Sequence, residues 1–127
     1  MPRILIVDDE AHVVSALRRL LKREGFAIEV ALNGEEALSK LPGFEPDLVI
    51  SDFRMKGMNG AELLEHILRQ MPQAVRVLLS GYADLRSSND PSLNGLISHF
   101  ISKPWDDQHL INDVRALLER REPQPRA

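Results

Sequence analysis

Asp8 and Asp9 follow the apolar run Ile4-Leu5-Ile6-Val7, Asp52 follows Leu48-Val49-Ile50-Ser51, and Lys103 follows Phe100-Ile101-Ser102. If those runs are parallel strands, their carboxyl ends meet along one edge of a sheet, where open α/β folds bind ligands. Three carboxylates gathered there repel one another unless a cation lies among them, which points to a hard divalent metal such as Mg²⁺. The chain holds four lysines, Lys22, Lys40, Lys56 and Lys103, so one at a strand end beside Pro104 stands out. A metal, a carboxylate nucleophile and an ammonium together suit transfer of a phosphoryl group.

The elements that must position these groups are legible as alternation. A β-branched run at residues 3–7 has the look of a strand buried on both faces. Residues 11–24 carry Val13, Val14, Leu17, Leu20 and Leu21 on one helical face, with Arg18, Arg19, Lys22 and Arg23 opposite and Gly25 as a stop. A more alternating strand suited to an edge is predicted over residues 26–31. Asn33 and Glu36 then open a helix to about Leu41, with Pro42 and Pro46 framing the next loop. Further strands are predicted at 47–51, 75–79 and 96–102. Helices carry Leu63, Leu64, Ile67 and Leu68 before Pro72, and Leu110, Ile111, Val114, Leu117 and Leu118 near the end.

Five strands alternating with helices predict a doubly wound, five-stranded parallel sheet with helices on both faces. One stretch departs from the alternation. Residues 84–94 are polar almost all round and carry Pro91, so a fourth helix there is expected to be short or irregular.

Composition narrows the function classes. At 127 residues, 43% hydrophobic and 28% charged, the chain fits one globular domain. The expected boundaries are 1–121 for the domain and 122–127 for a tail or the start of a linker. A net charge of −3 without a long basic run argues against direct nucleic-acid binding. The absence of cysteine removes disulfides and thiolate metal sites. No apolar run reaches membrane-spanning length and no signal peptide precedes the first strand, so a cytoplasmic location is expected. His12, His66, His99 and His109 are scattered without ligand spacing.

Asp8-Asp9, Asp52, Ser80-Gly81 and Lys103-Pro104, together with Met55, Met58 and Gly60, make residues 3–120 resemble a response-regulator receiver domain of two-component systems, in the manner of single-domain chemotaxis regulators. The resemblance implies a flavodoxin-like strand order of 2-1-3-4-5. It also implies that Asp52 accepts a phosphoryl group from a partner's phosphohistidine, with Lys103 and Ser80 contacting that group. Mg²⁺, or Mn²⁺ in its place, would be held by Asp9 directly, by Asp8 through water, and by Asp52 and the backbone carbonyl of Arg54. Ser80 and Phe100 would form the switch pair, Arg54 and Tyr82 would tune hydrolysis of the acyl phosphate, and the Lys103–Pro104 bond would be cis.

The implied partners are a sensor histidine kinase or histidine phosphotransfer protein, and an output domain or downstream protein. A homodimer through the fourth helix, strand five and last helix is a further expectation. Catalysis would be confined to self-phosphorylation from a donor and slow autodephosphorylation. Lys56 stands where the family usually has proline. Two other readings compete: a phosphorylation-independent pseudo-receiver adaptor, and a Mg²⁺-dependent phosphohydrolase. The second usually places its general acid two residues after the nucleophile, where this chain has Arg54.

Overall fold

Alternate residues of the first strand leave the sheet in opposite directions, and this divides the interior into two cores. The computed structural model describes residues 1–81 and 95–120. Its elements are β1 (Arg3–Val7), α1 (Ala11–Arg23), β2 (Ala27–Ala31), α2 (Gly34–Phe44), β3 (Leu48–Asp52), α3 (Gly60–Gln70), β4 (Val75–Gly81), β5 (His99–Lys103) and a last helix, here α4 (Asp107–Arg120). All strand pairs are parallel and the order is β2-β1-β3-β4-β5, as the resemblance implies.

Ile4 and Ile6 pack with Leu48, Ile50, Val77 and Leu79 under α1 and α4. Leu5 and Val7 point the other way, joining Val49, Leu78, Leu63, Leu64 and Ile67 under α2 and α3. Period-two alternation on a sheet covered on both faces produces this division. None of the described helices is long and apolar enough to cross a membrane.

Local chemistry fixes the helix ends that matter for the site. Asn59 accepts from the Glu62 N–H at 2.9 Å while the Glu62 side chain returns to the Asn59 N–H, a reciprocal box opening α3. The Asn33 side chain caps α2 through the Glu36 N–H at 2.7 Å. Gly25 follows α1 at φ +92°, a conformation that side chains with a Cβ rarely adopt.

Three boundaries differ from expectation by more than one residue. α2 continues through Pro42 to Phe44, because a proline in the last turn removes one donor while Glu45 N–H still reaches the Leu41 carbonyl at 2.9 Å. β4 continues to Gly81, since Ser80 and Gly81 pair in register with Ser102 and Lys103. β5 begins at His99 instead of Leu96. Leu96 and Ile97 are both buried in the α2/α3 core, which strand alternation forbids for neighbours, and the buried Arg76 holds this stretch by donating from Nε to the Leu96 carbonyl at 2.6 Å. β2 is an edge strand, as expected, though four of its five residues are half-buried without alternation. The irregular segment at 84–94, Tyr82 and the tail at 122–127 lie outside the described residues.

Candidate functional site

Parallel pairing brings the carboxyl ends of β1, β3, β4 and β5 to one edge. Val7 stands opposite Ser51, Asp52 opposite Leu79, and Gly81 opposite Lys103. Asp8 leaves β1 fully buried, its N–H donating to the Ala31 carbonyl at 3.2 Å and its Oδ1 accepting from the Glu10 N–H at 2.9 Å. Asp52 ends β3 and is 6% exposed. Lys103 ends β5, and its peptide to Pro104 is cis. Its Nζ donates to Asp52 Oδ1 at 2.9 Å and to Asp8 Oδ2 at 3.1 Å, so one ammonium spans two carboxylates that are 95 and 51 residues away in the chain.

Burial and charge act together on these groups. Burial pushes the Asp52 carboxyl above its ordinary value; the Lys103 hydrogen bond opposes that rise, and the charges of Asp8 and Asp9 add to it. Burial alone would lower the Lys103 ammonium, but the hydrogen bonds to Asp52 and Asp8 and their charges outweigh it, and the ammonium is raised. Asp9 is exposed beside the loop after β3, with its Oδ2 at 3.4 Å from the Lys56 N–H. Asp9 and that loop border an open depression in the surface.

One carboxylate oxygen from each of Asp8, Asp9 and Glu10 lies within 4.8 Å of the other two. An all-oxygen donor set of this kind fits a hard divalent cation such as Mg²⁺. Glu10, read from the sequence as a solvated acid, thus belongs to the same group. The available signal was three acids in succession at a strand end. Asp52 approaches the group through Lys103. His12 touches the edge of the group through Glu10 at 3.4 Å, whereas His99 pairs with Asp113 at 3.2 Å, and His66 and His109 are exposed.

Ser80 is 1% exposed, and its Oγ has no hydrogen-bond partner among the described residues. A buried hydroxyl left unpaired costs roughly 1–3 kcal/mol, so its retention fits a donor kept for an incoming ligand. Phe100 is 36% exposed on edge strand β5, opposite Leu78. Trp105 packs against the α1/α4 core and donates its indole N–H to Asp107 at 3.0 Å. Arg54 is exposed in the loop after β3. Tyr82 is outside the described residues.

The backbone of this loop is closely held. Gly60 N–H donates to the Phe53 carbonyl at 2.8 Å, and Phe53 N–H donates to the Leu79 carbonyl at 3.1 Å. An added Cβ at Gly60 would strike the Asp52 carbonyl. Asp47, at the opposite edge, was not foreseen. It is fully buried and accepts from the Arg3 N–H at 2.7 Å, which ties the starts of β1 and β3 together.

Comparison with known proteins places this geometry among relatives. Residues 4–115 match the family described as response regulator receiver domain. The chain is 34% identical over 116 residues to the hydrogenase transcriptional regulatory protein HoxA of Cupriavidus necator, an alignment spanning 91% of this chain and 24% of HoxA. Among solved structures, the signal receiver domain of an HD domain-containing protein from Pseudomonas fluorescens Pf-5 is 38% identical, with a TM-score of 0.84 over 93% of this chain and 87% of that one. The response regulator TrrA of Thermotoga maritima, solved in complex with Mg²⁺-BeF, is 37% identical, with a TM-score of 0.82 over 92% of this chain and 99% of that one. The chain spans between 24% and 55% of the length of the first curated relatives it matches.

Proposed function

Because the chain belongs to the response regulator receiver domain family, we propose that it is a phospho-accepting switch in which Asp52 takes a phosphoryl group from a partner's phosphohistidine. The observation that carries this reading is the Lys103 ammonium, 2.9 Å from Asp52 and 3.1 Å from Asp8 at the carboxyl edge of the sheet. An Asp52 oxygen attacks the phosphorus, the bond from phosphorus to the donor imidazole nitrogen breaks, and the imidazole departs with that electron pair. Lys103 places positive charge against a phosphoryl oxygen, and Ser80 donates its unpaired hydroxyl to another. In a loose, charge-spread transition state such placement is most of the catalysis.

Asp8, Asp9, Asp52 and the Arg54 carbonyl would hold Mg²⁺ or Mn²⁺, which when bound supplies charge neutralisation and alignment of the transferring oxygens. With Ser80 drawn toward the phosphoryl group, Phe100 turns inward from its exposed position and changes the face that a partner reads. Arg54 and Tyr82 set how fast water removes the group.

The donor is a sensor histidine kinase or a histidine phosphotransfer protein in the cytoplasm. The reader is an output domain or downstream protein, or a second copy meeting this one through β5 and α4. Incubation with Mg²⁺ and acetyl phosphate, or with beryllofluoride, should change the fluorescence of Trp105, two residues beyond Lys103. Asp52→Asn should abolish both that response and incorporation of hydroxylamine-labile phosphate. A wild-type chain that takes up no phosphoryl group from any donor would overturn the reading.

A further inference from the structure

Gly34 opens α2 at a buried position where alanine, the better helix former, would ordinarily serve. Its backbone is not in the left-handed region that favours glycine, so conformational freedom does not account for it. Space does. A Cβ added at Gly34 would stand 2.8 Å from Met58 Sδ, 3.1 Å from Met58 Cβ and 3.2 Å from Met58 Cγ. Two of those three atoms are close to the Met58 backbone, so rotating the end of the side chain does not relieve the overlap. Met58 is itself packed against the α2/α3 core, which leaves it little room to retreat.

Met58 belongs to the loop that leaves Asp52 and carries Arg54. The two ends of that loop are held by the Phe53 N–H on the Leu79 carbonyl and the Gly60 N–H on the Phe53 carbonyl. The middle, with Arg54 and Lys56 beside Asp9, meets α2 where Met58 lies against Gly34 and Gly57 lies near Glu35, while Met55 packs on the α2/α3 core.

We propose that Gly34 is a positioning residue for the metal site: by lacking a Cβ it seats Met58 and thereby sets how close residues 53–59 lie to Asp9. The inference rests on the metal-binding reading above, with Gly34 acting through Met58 and touching neither metal nor phosphoryl group. Gly34→Ala should displace the loop away from α2 while leaving the α2 cap at Asn33 in place. Residues that orient ligands from behind typically alter metal affinity by about 10–100-fold when changed.

The test measures two things on wild type, Gly34→Ala and the double variant Gly34→Ala/Met58→Ala. Amide NMR shifts of residues 53–59 in the metal-free protein report the loop, and a Mg²⁺ titration followed by Trp105 fluorescence reports affinity. Gly34→Ala should move those amide shifts and weaken Mg²⁺ by about tenfold. The double variant should recover most of that loss, because alanine at 58 removes the Sδ at 2.8 Å and the Cγ at 3.2 Å and leaves only the Cβ at 3.1 Å, a contact that a shift of a few tenths of an ångström relieves. Unmoved amide shifts, or moved shifts with wild-type Mg²⁺ affinity, would overturn the inference. So would a double variant that binds as weakly as the single one. A wild-type chain blind to Mg²⁺ would instead overturn the phospho-acceptor reading, while the metal-free amide shifts would still report whether Gly34 seats the loop.

Discussion

One ammonium, that of Lys103, keeps two buried carboxylates from facing each other bare. Burial raises the Asp52 carboxyl, the Lys103 hydrogen bond is the largest influence lowering it, and Asp8 raises it again. Asp52 therefore holds its proton more tightly folded than unfolded. Its contribution to stability falls as pH rises from its ordinary value of 3.8 through the raised folded value. Lys103 has the opposite profile. Its raised ammonium stabilises the fold fully below its ordinary value of 10.5, and this is lost as pH climbs through the folded value. Replacing Lys103 by methionine should raise the Asp52 midpoint further, read by ¹³C carboxyl NMR titration. An unchanged midpoint would show that the ammonium does not govern Asp52. Unfolding of Lys103→Met should also be easier, toward the low end of the roughly 3–5 kcal/mol for breaking a buried pair, because the lysine side chain keeps 23% exposure. The meeting of Asp8, Asp52 and Lys103 was legible in the sequence because strand ends impose it. Gly34, Met58 and Asp47 were not, because their roles depend on distances between elements that no local pattern encodes.

At the scale of elements, periodicity located every described strand and helix, and its errors fell where side-chain hydrogen bonds or tertiary packing overrode pattern. Leu96 and Ile97 read as strand because they are apolar, yet they are buried on one side of the sheet. Arg76 takes the Leu96 carbonyl and receives the Ser98 N–H on its own carbonyl at 2.7 Å. Pro42 read as a stop, yet the final turn of α2 closes around it. Caps were the more dependable signal, since they are local. Asn59 was not singled out, though its spacing to Glu62 is that of a capping box, and it sits at the junction of the Asp52 loop and α3. Asn59→Ala should destabilise the protein by about 0.5–2 kcal/mol in urea unfolding. Gln at 62 should be better tolerated than Ala, since it can still reach the Asn59 N–H. Equal losses for Glu62→Gln and Glu62→Ala would remove the box from the account of how this loop is anchored.

At the scale of the whole molecule, among the described residues, acids crowd one edge of the sheet, while elsewhere pairs such as Lys40–Glu29, Arg69–Glu65 and Arg115–Glu24 mix the two signs. Asp8, Asp9, Glu10 and Asp52 gather at the carboxyl edge of the sheet, while Arg18, Arg19, Lys22 and Arg23 line the outer face of α1. Burying and crowding acids at one edge costs the fold stability, and the Asp52 carboxyl, raised first by burial and then by the charges of Asp8 and Asp9, is the local sign of that cost. A cation that binds the folded edge and not the unfolded chain must therefore stabilise the whole domain. By mass action the gain is about 2.7 kcal/mol at a concentration 100 times the dissociation constant. For a domain of this size that corresponds to a rise in melting temperature of roughly 10 °C. Mg²⁺ added at neutral pH should produce such a rise, with the melting temperature climbing steadily with the logarithm of concentration. Below the ordinary carboxylate range the rise should vanish, because protonated acids do not bind the metal. Asp52→Asn should start from a higher melting temperature than wild type without metal, having lost an ionisation the fold disfavours, and should then gain less from Mg²⁺. Calorimetric scans of both proteins with and without metal test this. If the wild type melts at the same temperature with Mg²⁺ as without it, the acidic edge is not a metal site, and the stability given up there has some other purpose.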